Sequence, residues 1–170
     1  MKIIKIILIL VITLNTPLEV TSANQFQSIL KEGGKLIFIR HAYAPGGGDP
    51  EGFEISNCSS QRNLNKEGIE QSKKIGLFFL KNDILIDKVL SSEWCRCKHT
   101  AEYAFTNYET KSFLNSFFSQ EFSQNKDKQI KELKDYIKKW DGKNNLIFVT
   151  HYVVISEILN LSVSSGEIVV

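Results

Sequence analysis

Arginine and histidine side chains recur in this chain where apolar runs stop. The run from Lys35 to Ile39 ends at Arg40-His41, "DKVLSS" ends at Ser91-Ser92 shortly before Arg96, and "NLIFVT" ends at Thr150-His151. A neutral imidazole is a competent nucleophile, and a covalent intermediate replaces one hard step by two easier ones. Arginine offers a rigid fork of donors that fits the non-bridging oxygens of a phosphoryl group and offsets its charge. Gathered in low dielectric, two arginines, two histidines and three hydroxyls would need an anion to compensate them. The chemistry these residue types point to is phosphoryl transfer, with a phosphate-like dianion as the ligand.

Such residues meet only if the runs are strands of one sheet. Lys35–Ile39 is continuous and β-branched, as in a strand buried on both faces. Residues 42–63 read as a long loop rich in Gly, Pro, Asp, Asn and Ser. A helix follows at 65–81, with Asn65 as N-cap and Gly68 and Gly76 as mild costs. "DKVLSS" reads as a second buried strand. It leads into a helix starting just after Ser92, a reasonable N-cap, along "EWCRCKHTAEYAF". Residues 106–125 are aromatic but aperiodic and read as a loop or short elements. A helix at 126–140, the strand "NLIFVT", a helix over Val153–Leu161 and a closing strand "GEIVV" complete the chain. Alternating strands and helices predict a three-layer α/β/α sandwich with a mostly parallel sheet. In such sheets ligands bind beyond the carboxyl ends of the strands, where all three polar clusters fall. A helix beginning beside Ser92 would add backbone N–H donors there.

The first residues, "MKIIKIILILVITLNTPLEVTSA", combine Lys2 and Lys5, a short apolar run and small residues at Thr21-Ser22-Ala23. That pattern predicts a secretory signal over residues 1–23, ahead of one domain at 24–170 in the periplasm. The apolar run is about half the roughly 20 residues a spanning helix needs, so no stable membrane insertion is expected after cleavage. In an oxidising compartment Cys58, Cys95 and Cys97 suggest one disulfide and one thiol, either Cys58–Cys95 or, nearly as well supported, Cys58–Cys97. Zinc is disfavoured because Cys95-x-Cys97 lacks ligand spacing. With 42% apolar and 24% charged residues, the composition is that of a globular chain. A net charge of +2, spread over scattered lysines, gives no clustered basic face for a nucleic acid.

Taken together, "LIFIRHAYAPGGGDP", "QRNLNKEGIEQSKKIG", "VLSSEWCRCKHTAEYAF" and "LIFVTHYVVISEIL" resemble the histidine phosphatase, or phosphoglycerate mutase-like, superfamily. "APGGGDP", "NCSSQRNL" and "WCRC" resemble its exported branch similar to lipopolysaccharide core heptose(II)-phosphate phosphatase. The resemblance spans nearly all of residues 35–170. It implies the phosphoglycerate mutase-like fold and a histidine acid phosphatase-type phosphomonoesterase that needs no cofactor or metal. It also implies His41 as the nucleophile that becomes phosphohistidine, with Arg40, Arg96 and His151 holding the phosphoryl oxygens. A backbone carbonyl would hold the nucleophile's other ring nitrogen. Arg62 resembles an arginine that shorter bacterial members place near the pocket, and Ser92 falls beside the same site. The implied substrate is a small phosphomonoester or an envelope glycolipid phosphate.

Two departures stand out. The usual Arg-His-Gly is Arg40-His41-Ala42 here, which keeps the carbonyl but restricts the backbone. The proton donor, a Glu or Asp well after the second arginine in many members, has only Glu121 in the corresponding region, with Glu109 and Glu93 as rivals. His99 reads as a helix-face residue, "GGGDP" as a flexible rim, and Trp94 and Phe105 as packing residues. Three readings follow: a phosphomonoesterase, a phosphohistidine-protein phosphatase, and a non-catalytic phosphate-binding envelope protein.

Overall fold

Strict alternation decides which way each strand faces. Ile37 and Ile39 point into one apolar cluster and Phe38 into another, as do Ile147 and Val149 against Leu146 and Phe148. A sheet that buries both faces needs helices on both sides. The computed structural model describes residues 18–170, with side chains from Asn24 onward. The strands are β1 (Leu36–Arg40), β2 (Ile86–Ser91), β3 (Glu109–Thr110), β4 (Asn145–Thr150) and β5 (Ile168–Val169). They form one sheet in the order β3-β2-β4-β1-β5, parallel except for the antiparallel β1–β5 pair. The helices are α1 (Leu18–Lys31), α2 (Lys66–Lys81), α3 (Cys95–Phe105), α4 (Gln120–Ser123), α5 (Lys126–Lys138) and α6 (Tyr152–Leu159). Residues of α1, α2 and α3 pack on one face, and residues of α5 and α6 on the other. The result is the expected three-layer α/β/α sandwich. Among the described residues no helix is long and apolar enough to cross a membrane.

Register places the chemistry. Arg40 pairs with Thr150 across β1 and β4, and Ser91 pairs with Val149 across β2 and β4. The ladder continues one residue past the strands: the His41 N–H donates to the Thr150 carbonyl at 2.9 Å, and the Ser92 N–H to the Val149 carbonyl at 2.9 Å. Arg40, His41, Ser92 and His151 therefore emerge side by side at the carboxyl edge of three adjacent parallel strands.

Several local expectations change. The expected leader lies mostly outside the described residues, and α1 begins at Leu18, ahead of the anticipated boundary at residue 23. Asn65 caps α2 as anticipated, its Oδ1 accepting from the Gly68 N–H at 2.9 Å. Gly68 is no mere cost, however. A Cβ there would overlap the Tyr43 carbonyl oxygen and lie 3.0 Å from its carbon, so only glycine lets α2 approach the segment after His41. Gly76 is needed in the same way against the Ala104 carbonyl of α3. Ser92 does not cap α3, which starts at Cys95 after Trp94. The Cys95 N–H is instead satisfied by Gln61 Oε1 at 2.9 Å, from the long loop. Residues 106–125 contain β3, a 3₁₀ turn at Ser112–Leu114, and α4.

Candidate active site

The Cys58–Cys95 disulfide joins the loop to the first turn of α3, leaving Cys97 as a buried thiol. Beside it, Gln61 reaches α3 through Cys95 and donates to the Glu54 and Ile55 carbonyls. The loop is thus fixed against α3 by one covalent and several polar ties, which brings Arg62 and Asp49 up to Arg96.

His41 is 3% exposed. Its Nδ1–H donates to the Ala42 carbonyl at 2.8 Å, which leaves Nε2 bearing the free lone pair. Ala42 is itself held: its N–H donates to Thr100 Oγ1 at 2.9 Å, while that hydroxyl donates to the Arg96 carbonyl at 2.7 Å. Burial, reinforced by the charges of Arg96, Arg62 and Arg40, pulls the His41 pKa down to about 3. The imidazole is therefore neutral near pH 7, the form in which such a ring can act as a nucleophile.

His151 faces it with ring centroids 5.5 Å apart in an edge-on arrangement. Its hydrogen-bond polarity follows from an acidic end point. The Glu93 carboxylate can only accept, so the Asn115 Nδ2 donates to it, at 2.6 Å. Asn115 Oδ1 then accepts from the Glu93 N–H at 2.9 Å and from Ser92 Oγ at 3.0 Å. With its one proton committed, Ser92 Oγ accepts from the Trp94 N–H at 3.2 Å and from His151 Nε2–H at 2.9 Å. Cys97 Sγ lies 3.4 Å from the same nitrogen. The proton of neutral His151 is thus on Nε2 and its lone pair on Nδ1. Burial, then the charges of Arg96 and neighbouring groups, lowers its pKa well below the ordinary value.

Three guanidinium groups complete the cluster. Arg40 donates from Nη1 to the Val163 carbonyl at 2.8 Å and lies 5.6 Å from the Tyr152 ring. Arg62 donates to the Ala44 carbonyl. Arg96, 4% exposed, donates from Nη1 to Asp49. The Nε of each of the three is buried and has no partner. Buried N–H donors are nearly always satisfied, so three unbonded ones in a single cationic cluster are unusual, and the cluster carries an excess of positive charge in low dielectric. Among the described residues no group of three or more metal-ligating side chains exists.

Arg40, His41, Arg62, Ser92, Arg96 and His151 are therefore brought together. Glu121 is not: it is exposed on the four-residue α4, and its carboxylate bonds none of these groups. Only its neighbour Phe122 approaches the site, packing edge-on against Trp94 with centroids 5.3 Å apart. Glu109 is paired with Lys111 on exposed β3, and Glu93 serves Asn115. His99 is half-buried on α3 beside Tyr103, as expected of a helix-face residue. Trp94, expected only to pack, also walls the site, 5.5 Å from the His151 ring. Sequence reasoning missed Asp49, Asn115, Thr100 and Gln61. Of these only Asp49 had a signal, as the one charged side chain of "GGGDP".

No protein-family model matches the sequence, and no curated protein matches it closely enough to count as a relative. Solved structures do match its fold. The protein histidine phosphatase SixA complexed with tungstate superposes with a TM-score of 0.59 at 14% identity, over 78% of this chain and 84% of that one. The alpha-ribazole phosphatase from Shigella flexneri gives 0.58 at 16% identity, over 78% and 87%. A phosphoserine phosphatase mutant from Entamoeba histolytica, in complex with phosphoserine, gives 0.57 at 17% identity, over 78% and 87%. A phosphoglycerate mutase from Thermus thermophilus gives 0.52 at 14% identity, over 78% and 90%. The chain thus adopts the phosphoglycerate mutase-like fold, shared by histidine phosphatases and mutases, with its own cationic cluster at the carboxyl edge of the sheet.

Proposed function

We propose that this protein is a histidine acid phosphatase-type phosphomonoesterase that works through a phosphohistidine on His41. The observation that carries the reading is the pairing of a neutral His41, its Nε2 lone pair free, with three buried guanidinium Nε donors that lack partners. The His41 Nε2 lone pair attacks phosphorus as the bond to the leaving oxygen breaks, and the leaving group departs as its oxyanion and takes a proton from solvent water. Water then attacks the phosphorus of phospho-His41, which returns the imidazole and releases inorganic phosphate. Arg40, Arg62 and Arg96 hold the non-bridging oxygens and offset charge in the transition state. His151 borders the same space, and Ser92 orients it rather than touching the substrate.

The apolar leader and the Cys58–Cys95 disulfide favour a periplasmic setting, and with it a small phosphomonoester or an envelope sugar or glycolipid phosphate as substrate. Likeness to SixA favours a phosphohistidine protein as the second reading. The test is rapid quench with a radiolabelled phosphomonoester. Wild-type protein should acquire acid-labile, alkali-stable label, and His41→Ala should acquire none. Wild-type protein with neither label nor turnover overturns the enzyme reading, and anion binding without label makes it a phosphate-binding protein instead. Comparing a sugar phosphate with a phosphohistidine peptide then separates the two substrate classes.

A further inference from the structure

The glycine-rich loop delivers one carboxylate into the arginine cluster. Asp49 is 9% exposed, and both of its oxygens face Arg96 Nη1, at 2.8 and 3.0 Å. Its Oδ2 also accepts from Trp94 Nε1–H at 3.1 Å, and its Oδ1 from the Arg62 N–H at 3.0 Å. Among the described residues it is the one carboxylate hydrogen-bonded to any of the three pocket arginines. Two features of the contact matter. Asp49 engages only Nη1 of Arg96, which leaves the other guanidinium nitrogens without a carboxylate partner, Nε among them buried and unbonded. It also changes the charge: three guanidinium cations less one carboxylate, with both histidines held neutral, leave a cluster of +2 that balances a phosphate dianion.

On the phosphatase reading above, we propose that Asp49 is a positioning residue for the reaction. It grips Nη1 so that the rest of the Arg96 fork is held in place for the phosphoryl group, and it lowers the cluster charge so that product phosphate can leave. Trp94 and the Arg62 backbone fix the Asp49 carboxylate in turn, so the loop acts as a strut. Nothing in this arrangement makes Asp49 a proton donor, because its oxygens already accept from three cationic or N–H groups.

Asp49→Asn keeps the shape and removes the charge. Its kcat should fall by roughly 10²-fold, because the amide NH2 cannot accept from Arg96 or Trp94 and the guanidinium is displaced by about 1 Å. Inorganic phosphate, measured by calorimetry on the same protein, should bind roughly tenfold tighter because the cluster regains a positive charge. Asp49→Glu keeps the charge but reaches further. It should lose turnover while binding phosphate with wild-type affinity, which separates position from charge even if the asparagine variant folds poorly. The loss in kcat should be equal for 4-nitrophenyl and alkyl phosphates. Weaker phosphate binding in Asp49→Asn would mean a purely structural strut and would overturn the proposal. So would a loss confined to alkyl phosphates, the mark of a proton donor, or unchanged kcat in both variants. Failure of the phosphatase reading is distinguishable, since it appears as absent label and turnover in the wild-type protein, whereas calorimetry on the variants needs no turnover.

Discussion

Replacing Gly68 by alanine tests how the scaffold transmits position to the nucleophile. The new Cβ would overlap the Tyr43 carbonyl oxygen, lie 3.0 Å from its carbon and 3.3 Å from Leu64 Cβ. The first two obstacles are backbone, which cannot rotate away as a flexible side chain can. Tyr43 or the start of α2 must therefore move by about 1 Å, a shift large enough to cost up to 10²-fold in rate when it reaches a reacting group. It does reach one here, because the neighbouring Ala42 carbonyl holds His41 Nδ1. Stability should fall by about 1–3 kcal/mol from overpacking, offset in part by the better helix propensity of alanine, about 1 kcal/mol. Gly76→Ala, which meets the Ala104 carbonyl between α2 and α3, should lose comparable stability but much less rate. Gly47→Ala, with no heavy atom within 4 Å of its Cβ, should change neither. Urea unfolding and the rate of phosphoenzyme formation report the two quantities separately. A Gly68→Ala protein that forms phosphoenzyme at the wild-type rate would refute the claim that α2 and Tyr43 position His41.

Two further outcomes follow from the same framework. Reducing the Cys58–Cys95 bridge, or replacing both cysteines by serine, should cost about 4 kcal/mol by chain entropy for a sequence separation of 37, as urea midpoints would show. A loss under about 1 kcal/mol would mean that the polar ties of Gln61 already close the loop. The histidines set the acid limit: His41 is depressed in the folded state from about 6.5 to about 3, so its neutral form favours folding. That contribution is complete above pH 6.5 and is lost as pH falls from there toward about 3, with a slope of up to about 1.4 kcal/mol per pH unit. His151 is shifted the same way. Urea titrations between pH 7 and 4 should show a shallower slope in His41→Ala. An identical slope would show that His41 protonates freely in the folded state.

Strands β1, β2 and β4 were legible because buried parallel strands write continuous apolar runs, and the residues that end those runs must share one edge; β3, two exposed residues in an aperiodic stretch, was not. That Arg40, His41 and His151 lie together was legible for that reason, and Arg96 lies just past the same edge in the first turn of α3. Ser92 lay in the site but in a different role, as a relay between Asn115 and His151 and not a helix cap, because Gln61 already satisfies the Cys95 N–H. Asp49 and Asn115 were hidden because they lie in aperiodic segments, where side-chain direction depends on loop dihedrals that no periodicity records. Gly68 was misjudged because its local cost on a helix says nothing of the backbone packed against it. Glu121 was singled out by chain position alone, and chain position does not turn a carboxylate toward a pocket.

The pairing of β1 with β4 also sets when the site can exist. Arg40 and Thr150 are register partners, and the Gly166 N–H and Glu167 carbonyl bond the Arg40 backbone from near the end of the chain. Each closes a long loop, the slow and entropically costly kind of contact in folding. A ribosome-bound fragment lacking β4 would carry Arg40 and His41 without their neighbours and would hold no anion. Once the last strand docks, an anion that binds only the completed cluster stabilises the whole fold by mass action rather than one loop. Phosphate should therefore protect the central β1 and β4 amides from hydrogen exchange as strongly as those at the rim, coupling ligand capture to global unfolding.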